Sequence, residues 1–445
     1  MGTPFRRGRG GGGARRPAGG QGWLLRLVVT FSFAQGAVSM SRPAVSYHAL
    51  ALGADARAVG VVAALYALLP LLVAVPLGRR TDRGRCGPLL AAGVAVITTG
   101  CLLSGTAGTL WELGLWSALT GLGHLSFVIG AQSLVARRSG PGEHDRNFGL
   151  FTIGASVGQL IGPLLAGFLV DGGAGGGPGP GQSSTALALS ASGLLAVCAY
   201  ATLWRVESGA KRKGADADSR PAADGSVPLL RILRSRGVPA GIFTSLAVLS
   251  ATDVLTAYLP VVGEDRGIAP ATVGLLLSLR AGASVASRLV LPPMSARLGR
   301  RGLLVGSCLL AAVLCVLLAV PVPVWALAVS MVLLGFTLGV GQPLTMTTVV
   351  RAAPAGARST ALALRLTGNR LGQVAAPAGA GLVAGAAGTA APFVLLGVLL
   401  LGASGTALRM REAPPDEVPE PAAGGRPPQQ PAAAPESAPC GPGGE

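Results

Sequence analysis

Long apolar stretches alternate with short polar ones along this chain. Twelve of the stretches are long enough to cross a lipid bilayer, since a helical span needs about 20 mainly apolar residues. We place them at 23–50, 58–77, 88–107, 111–136, 147–170, 184–205, 238–262, 271–293, 302–320, 324–350, 358–384 and 389–410. A helix satisfies its own backbone hydrogen bonds in hydrocarbon. The pattern therefore predicts an all-α integral membrane protein with twelve transmembrane helices.

The segments outside these stretches divide the chain into two halves. Residues 1–22, rich in Gly and Arg, and residues 411–445, rich in Pro, Ala and Gly, are predicted to be disordered cytoplasmic tails. The longest internal polar segment is 206–237, which we interpret as a cytoplasmic central loop. We therefore predict an N-terminal six-helix bundle at 23–205 and a C-terminal six-helix bundle at 238–410.

The two halves repeat each other at one constant offset in the sequence. Residues 121–137 align with 335–351, and at the same offset the G-x-x-x-G-Q-x-x-x-P run at 154–163 aligns with 368–377. Val59 and Gly60 align with Val273 and Gly274 in the same way. Six spans followed by six in the same orientation predict a parallel internal repeat. Such folds place the substrate site between the two bundles, near the middle of the membrane.

Composition agrees with a membrane protein. Of the 445 residues, 50% are hydrophobic and 12% are charged, whereas a soluble domain averages about 25% charged residues. The net charge is +17. Of the 36 Lys and Arg residues, 28 lie in every second polar segment, counted from the N-terminal tail, and two lie in the polar segments between those. Since positive loops face the cytoplasm, we predict a multi-pass protein of the cell membrane with both termini cytoplasmic. No folded basic domain remains for nucleic-acid binding.

The sequence offers no sign of an enzyme. It contains no P-loop G-x-x-x-x-G-K-[ST], and none of its six cysteines has C-x-x-C spacing. We therefore expect no catalytic activity, no metal and no cofactor.

One polar run, Gly-Arg-Arg-Thr-Asp-Arg-Gly-Arg at 78–85, lies between the second and third spans. It resembles the loop between the second and third helices of the major facilitator superfamily of transporters. The resemblance implies a gating role for five residues: Gly78, Asp82, Arg83, Gly84 and Arg85. An ordinary positively charged hairpin is the alternative interpretation. The matching run at 295–301 keeps its arginines and has no acid, so the resemblance implies an asymmetric gate in which Asp82 is the acidic latch.

The fifth span carries a second resemblance. Its small residues and proline are similar to the G-x-x-x-G-x-x-x-G-P motif of the drug/proton antiporter branch of that superfamily; they are Gly154, Gly158, Gly162, Pro163 and Gly167. Glycines spaced by four residues allow close helix packing, which is also the alternative interpretation. The arginine that this branch has in its fourth span falls near Ala118 and is missing.

Charged and polar residues within spans are the best site candidates, because an ionised group in the bilayer is costly and usually faces a cavity. Asp253 is the only carboxylate deep inside a predicted span. We propose that Asp253 couples proton movement to conformational change and that Arg280, Arg370 or Arg42 binds the substrate or pairs with Asp253. A permanent ion pair is the alternative. Further candidates are Asn369, His124, which can change charge near neutral pH, and the glutamines Gln35, Gln159, Gln342 and Gln373.

These features together predict a secondary transporter that works by alternating access. The expected activity is proton-coupled efflux of small organic or drug-like compounds. Import or symport of a solute is an alternative, and a non-transporting membrane sensor is a second one. The expected partners are a small-molecule substrate, protons and the lipid bilayer, and we expect a monomer.

Overall fold

The computed structural model describes residues 22–83, 86–139, 143–172, 181–203, 229–235, 237–353 and 358–409. Within these ranges every regular element is a helix. The helices are α1 (Gly22–Ala51), α2 (Ala56–Arg83), α3 (Cys86–Gly105), α4 (Leu110–Arg138), α5 (His144–Asp171), α6 (Gln182–Leu203), α7 (Leu229–Arg234), α8 (Val238–Asp265), α9 (Pro270–Leu298), α10 (Arg300–Ala319), α11 (Val324–Ala352), α12 (Arg358–Ala387) and α13 (Ala391–Leu408).

Each predicted span corresponds to one long helix. Eleven of the described helices are long and apolar enough to cross a membrane. The remaining long helix, α12, has 30 residues but carries Arg365 and Arg370, whose side chains lower its mean hydropathy. It packs against α2 and α8, and its Arg365 and Asn369 are buried in the protein.

Two boundaries differ from the sequence predictions. The connection between the second and third spans, predicted at 78–87, is shorter, because α2 continues to Arg83 and α3 begins at Cys86. Hydropathy marks where the chain leaves the apolar layer, but a helix keeps its own hydrogen bonds beyond that point. The central loop also contains the short helix α7, whose Ile232 is buried against Val238 and Val349. The remainder of the predicted loop, at 206–228, and the predicted tails, apart from Gly22, lie outside the described residues.

The packing of the helices reflects the internal repeat. In the first half α1 packs on α5 and α6, and α4 packs on α2 and α3. In the second half α8 packs on α12 and α13, and α11 packs on α9 and α10. Between the halves, α5 packs on α9 and α2 packs on α12. The repeat matches α2 with α9 and α5 with α12, so these two interfaces are equivalent.

Pairs of glycines form both of these interfaces. A Cβ placed on Gly60 of α2 would lie 2.8 Å from the Cα of Gly381 in α12. A Cβ placed on Gly274 of α9 would lie 3.0 Å from the Cα of Gly167 in α5. The repeat aligns Gly60 with Gly274 and Gly167 with Gly381. The same close backbone contact therefore occurs twice, once on each side of the interface.

The two halves share a hydrophobic core toward one end of the molecule. We call the end that carries Ala51, Ala56 and Pro270 the outer end, after the orientation predicted from the arginines. The largest buried cluster combines residues of both halves, and its first-half members all lie toward the outer end. Trp111 and Trp325, which the repeat also aligns, begin α4 and α11 at this end with 82% and 71% of their surface exposed, as expected for aromatic side chains at a membrane interface.

Candidate functional site

An ion pair joins the two halves in the interior of the molecule. Asp253 of α8 has 4% of its side-chain surface exposed, and its Oδ1 lies 2.7 Å from Nη1 of Arg42 in α1. Arg42 belongs to the first half and Asp253 to the second, so this ion pair bridges them. A buried carboxylate needs such a partner, because removing an ion from water costs several kcal/mol. Of the three arginines predicted to pair with Asp253, the structure selects Arg42.

Asp253 is held from α12 as well. Its Oδ2 accepts a hydrogen bond from Nε2 of Gln373 at 3.0 Å. Oε1 of the same glutamine accepts from Nη1 of Arg370 at 2.9 Å. Gln373 thus lies between the carboxylate and the guanidinium of Arg370. Both carboxylate oxygens of Asp253 are therefore occupied, one by each half of the protein.

A second set of contacts continues from Arg42 into the first half. The Cζ atom of Arg42 lies 5.2 Å from the centre of the Tyr66 ring, within the range of a cation–π contact. The Tyr66 hydroxyl lies 2.8 Å from Nδ1 of His124, and Nε2 of His124 lies 3.0 Å from Oε1 of Gln35. Nε2 of Gln35 donates to Oγ of Ser39 at 3.1 Å.

These distances fix the tautomer of a neutral His124. Oε1 of Gln35 can only accept, so Nε2 of His124 carries a hydrogen. In a neutral imidazole Nδ1 is then an acceptor, and the Tyr66 hydroxyl donates to it. All polar contacts around His124 are satisfied by the neutral ring. Protonation of Nδ1 would require the tyrosine hydroxyl to turn its hydrogen elsewhere.

A cavity lies beside the ion pair on the first-half side. Arg42 and Tyr66 line it together with hydroxyl side chains and small apolar ones, which are Ser41, Ser46, Ser104, Ser117, Thr120, Val45, Ala49, Val59, Val62, Ala63 and Ala257. Only Ala257 of these comes from the second half. The cavity thus offers a partly polar wall next to a charged pair.

Other predicted residues lie outside this hydrogen-bonded chain. The side chain of Arg280 in α9 makes no hydrogen bond to a described residue, and its Nε is buried without a partner among them. Asn369, at 6% exposure, also keeps a buried Oδ1 without a partner in the described chain. Arg365 donates from Nη2 to Oε1 of Gln342 at 2.9 Å. Among the predicted residues, the chain of contacts therefore includes Arg42, Asp253, Arg370, His124, Gln35 and Gln373.

The sequence did not single out Tyr66, and it indicated Gln35 and Gln373 only as two of several polar candidates. Two signals for them were available in the sequence. Gln373 is the glutamine of the repeated G-x-x-x-G-Q-x-x-x-P run, and Tyr66 is an isolated polar group in an otherwise apolar span. Their roles follow from which helices come together.

The glycine motif of α5 faces two different helices. Gly154, Gly158 and Gly162 lie against α1; a Cβ on Gly158 would be 2.5 Å from the backbone nitrogen of Gly36. Gly167 instead faces α9, where a Cβ on Gly274 would clash with the carbonyl oxygen of Pro163. The first three glycines therefore allow close helix packing within the first half. The end of the motif allows close packing between the two halves.

The predicted gate cannot be placed in full. Gly78, Asp82 and Arg83 belong to helix α2, while Gly84 and Arg85 lie outside the described residues. The gating role of this motif stays a prediction.

Three curated relatives of this chain have names that refer to export or resistance. The efflux pump azaK of Aspergillus niger is 26% identical over 56% of this chain and 53% of its own length. The class G tetracycline resistance protein of Vibrio anguillarum is 28% identical over 56% of this chain and 61% of its length. The class C protein of Escherichia coli is 28% identical over 64% and 69%. The chain thus spans about half to two thirds of the length of these relatives.

Solved structures of transporters share the fold. A bacterial homologue of the human lysosomal transporter Spinster, in an inward-facing and unoccupied conformation, superposes with a TM-score of 0.68 at 15% identity, covering 90% of this chain and all of that one. The nucleoside transporter NupG gives a TM-score of 0.68 at 14% identity, covering 88% of this chain and all of that one. At these identities the likeness extends to the fold alone.

The family model named Major Facilitator Superfamily matches the chain twice, at residues 27–269 and 242–438. The two matches agree with the predicted internal repeat. None of the relatives named above has the name of an enzyme, in agreement with the prediction that this chain is not one. Because the matches cover far more than half of its residues, the chain belongs to the Major Facilitator Superfamily.

Proposed function

We propose that this protein is a proton-coupled transporter that exports small organic compounds across the cell membrane by alternating access. The observation that carries the proposal is the Arg42–Asp253 ion pair, which joins α1 of one half to α8 of the other. A proton on Asp253 removes its negative charge and with it the attraction to Arg42. Protonation and the contact between the halves are therefore linked through one carboxylate.

The packing of the halves supports an alternating-access cycle. The described contacts between the halves include two glycine pairs, both toward the outer end. A third contact at that end is the hydroxyl of Tyr258, which donates to the carbonyl oxygen of Ala56 at 3.0 Å. Such a state holds the outer end closed, so the substrate would enter from the opposite side. Transport then requires the glycine pairs to separate.

Export is favoured over import by the names of the curated relatives, an efflux pump and two tetracycline resistance proteins. Import remains the alternative for the same fold, since a nucleoside transporter shares it. We further propose that the chain forms two helix bundles, at 23–205 and 238–410, with the central loop and both termini in the cytoplasm. We also propose that the protein is a monomer in the membrane.

Proton movement in proteoliposomes tests the proposal. The purified full chain is reconstituted with a pH-sensitive dye inside, and tetracycline and ethidium are added as probes. We expect the protein to move protons when a probe is present and Asp253→Asn to abolish that movement. Glu264→Gln is the matched control, because Glu264 lies on the same helix but is exposed.

Each result has a distinct meaning. Protons that move opposite to the probe support export, and protons that move with it support import. Full proton movement in Asp253→Asn would exclude Asp253 as the coupling residue. A protein that binds the probes but moves neither probe nor proton would be a sensor.

A further inference from the structure

Positive charge exceeds negative charge where the two halves meet. Three arginines, Arg42, Arg280 and Arg370, come from α1, α9 and α12, and the one carboxylate among them is Asp253. Both oxygens of Asp253 are already used, by Arg42 and Gln373. Arg280 and Arg370 therefore share this one carboxylate with Arg42, and neither forms an ion pair with a residue that the structure describes.

Arg280 occupies the position in the second half that Tyr66 occupies in the first. The repeat aligns the two residues, and the backbone carbonyl of each lies against a glycine that the repeat also aligns, Gly121 for Tyr66 and Gly335 for Arg280. Tyr66 contacts Arg42 across a cation–π distance. Arg280 is close enough to Arg42 and Asp253 to interact with both electrostatically. The repeat thus directs Arg280 to the same interface as the ion pair.

The buried Nε of Arg280 has no hydrogen-bond partner in the described chain. Leaving a buried charged donor unpaired is costly, because the group loses its water and gains nothing in return. A neighbouring cation, Arg42, increases that cost. An anion brought in by a ligand would satisfy the unused donors of Arg280 and balance the excess charge.

We propose that the interface binds an organic anion, with a carboxylate or comparable acidic group received by Arg280. This inference rests on the proposed transport function and specifies its class of substrate. Arg42 is not the receiving group, since Asp253 occupies it.

Two probes of equal shape and different charge test this inference. The full chain, purified in detergent, is titrated with 1-naphthoate, with the uncharged 1-naphthamide and with inorganic phosphate, and binding is measured by calorimetry. We expect 1-naphthoate to bind at least about tenfold more tightly than 1-naphthamide, which corresponds to one charge-assisted hydrogen bond. Phosphate, which lacks the apolar body, should bind more weakly than 1-naphthoate.

Variants identify the receiving residue. Arg280→Gln should weaken 1-naphthoate binding at least about tenfold and leave 1-naphthamide binding unchanged. Arg280→Lys keeps the charge and should retain most of the affinity. Arg231→Gln, at an exposed position of α7, is the matched control and should bind as the parent does. Arg280→Gln should also raise the melting temperature, because it removes an unpaired buried charge, whereas a structural arginine would lower it on removal.

Two outcomes would overturn the inference. One is equal binding, or equal absence of binding, of 1-naphthoate and 1-naphthamide. The other is unchanged 1-naphthoate affinity in Arg280→Gln. Binding in detergent needs no proton gradient, so these results are independent of the proteoliposome experiment. If tetracycline or ethidium drives proton movement but naphthoate does not bind, the transport proposal stands and the anion proposal fails.

Discussion

Gly274 of α9 packs directly against Gly167 of α5, so that two backbones from opposite halves touch at the outer end. A Cβ on Gly274 would lie 3.0 Å from the Cα of Gly167 and 3.2 Å from its nitrogen. Side chains at either position would force the helices apart. The closed outer end therefore depends on the absence of side chains at these positions.

Gly167→Val should open the outer end. The reporter is Ser46→Cys, since Ser46 lines the interior cavity and is 3% exposed. We expect a polar maleimide to label this cysteine faster when Gly167→Val is also present. Gly149→Val on the same helix is the control, because nothing lies within 4 Å of Gly149. Labelling of the same variants without Ser46→Cys corrects for native cysteines. Equal rates in both valine variants would argue against the glycine contact as a closing device.

Gly158→Ala should destabilise the first half. Its new methyl group would meet backbone atoms of Gly36 and Ser32 in α1, and overpacking of this kind costs about 1–3 kcal/mol. Gly149→Ala adds the same methyl group in open space and should be neutral or stabilising by up to about 1 kcal/mol. Denaturant unfolding in mixed micelles measures both. A smaller loss for Gly158→Ala than for Gly149→Ala would contradict the α1–α5 contact.

Removing either member of the Arg42–Asp253 pair should destabilise the protein more than removing both. Asp253→Asn leaves Arg42 without its counter-charge; we expect a loss of about 3 kcal/mol, the low end for a buried pair, because 23% of the Arg42 side chain is exposed. Arg42→Gln should have a similar effect. The double variant should recover part of the loss, which a double-mutant cycle measures. Strict additivity of the two single losses would show that the residues do not interact.

Tyr66→Phe should leave Nδ1 of His124 without its donor. We expect a stability loss of about 1–3 kcal/mol, the cost of a buried polar atom without a partner. Tyr200→Phe is the matched control, since Tyr200 is 50% exposed. Combining Tyr66→Phe with His124→Leu should cost less than the sum of the single changes. An equal effect of the two tyrosine variants on the melting temperature would argue against the Tyr66–His124 hydrogen bond.

Asp82→Asn tests the gate that the sequence predicts. If Asp82 is the acidic latch of the inner face, the substitution should lower the transport rate and leave substrate affinity unchanged, because the latch acts on the conformational step alone. Rates in proteoliposomes and affinities in detergent separate the two effects. Glu264→Gln removes another acid and should change neither. An unchanged transport rate in Asp82→Asn would indicate that the motif is an ordinary positively charged hairpin.

The sequence alone determined the architecture of this protein. The spacing of apolar stretches predicts the helices because only hydrogen-bonded helices satisfy the backbone in lipid. The internal repeat predicts two equivalent halves because equal patterns fold alike. Even Asp253 stands out in the sequence, since a lone carboxylate in an apolar span is rare and costly.

The tertiary structure alone decided which residues meet. Three arginines were equal candidates to pair with Asp253, and packing of α1 on α8 brings Arg42 to it while Arg280 stays unpaired in the described chain. Tyr66, Gln35 and Gln373 gained roles only through helices that are distant in sequence. A pattern along the chain records which side chains avoid water, because burial depends on composition and period. It does not record which buried side chains touch, because that depends on how the helices are rotated and crossed in the bundle.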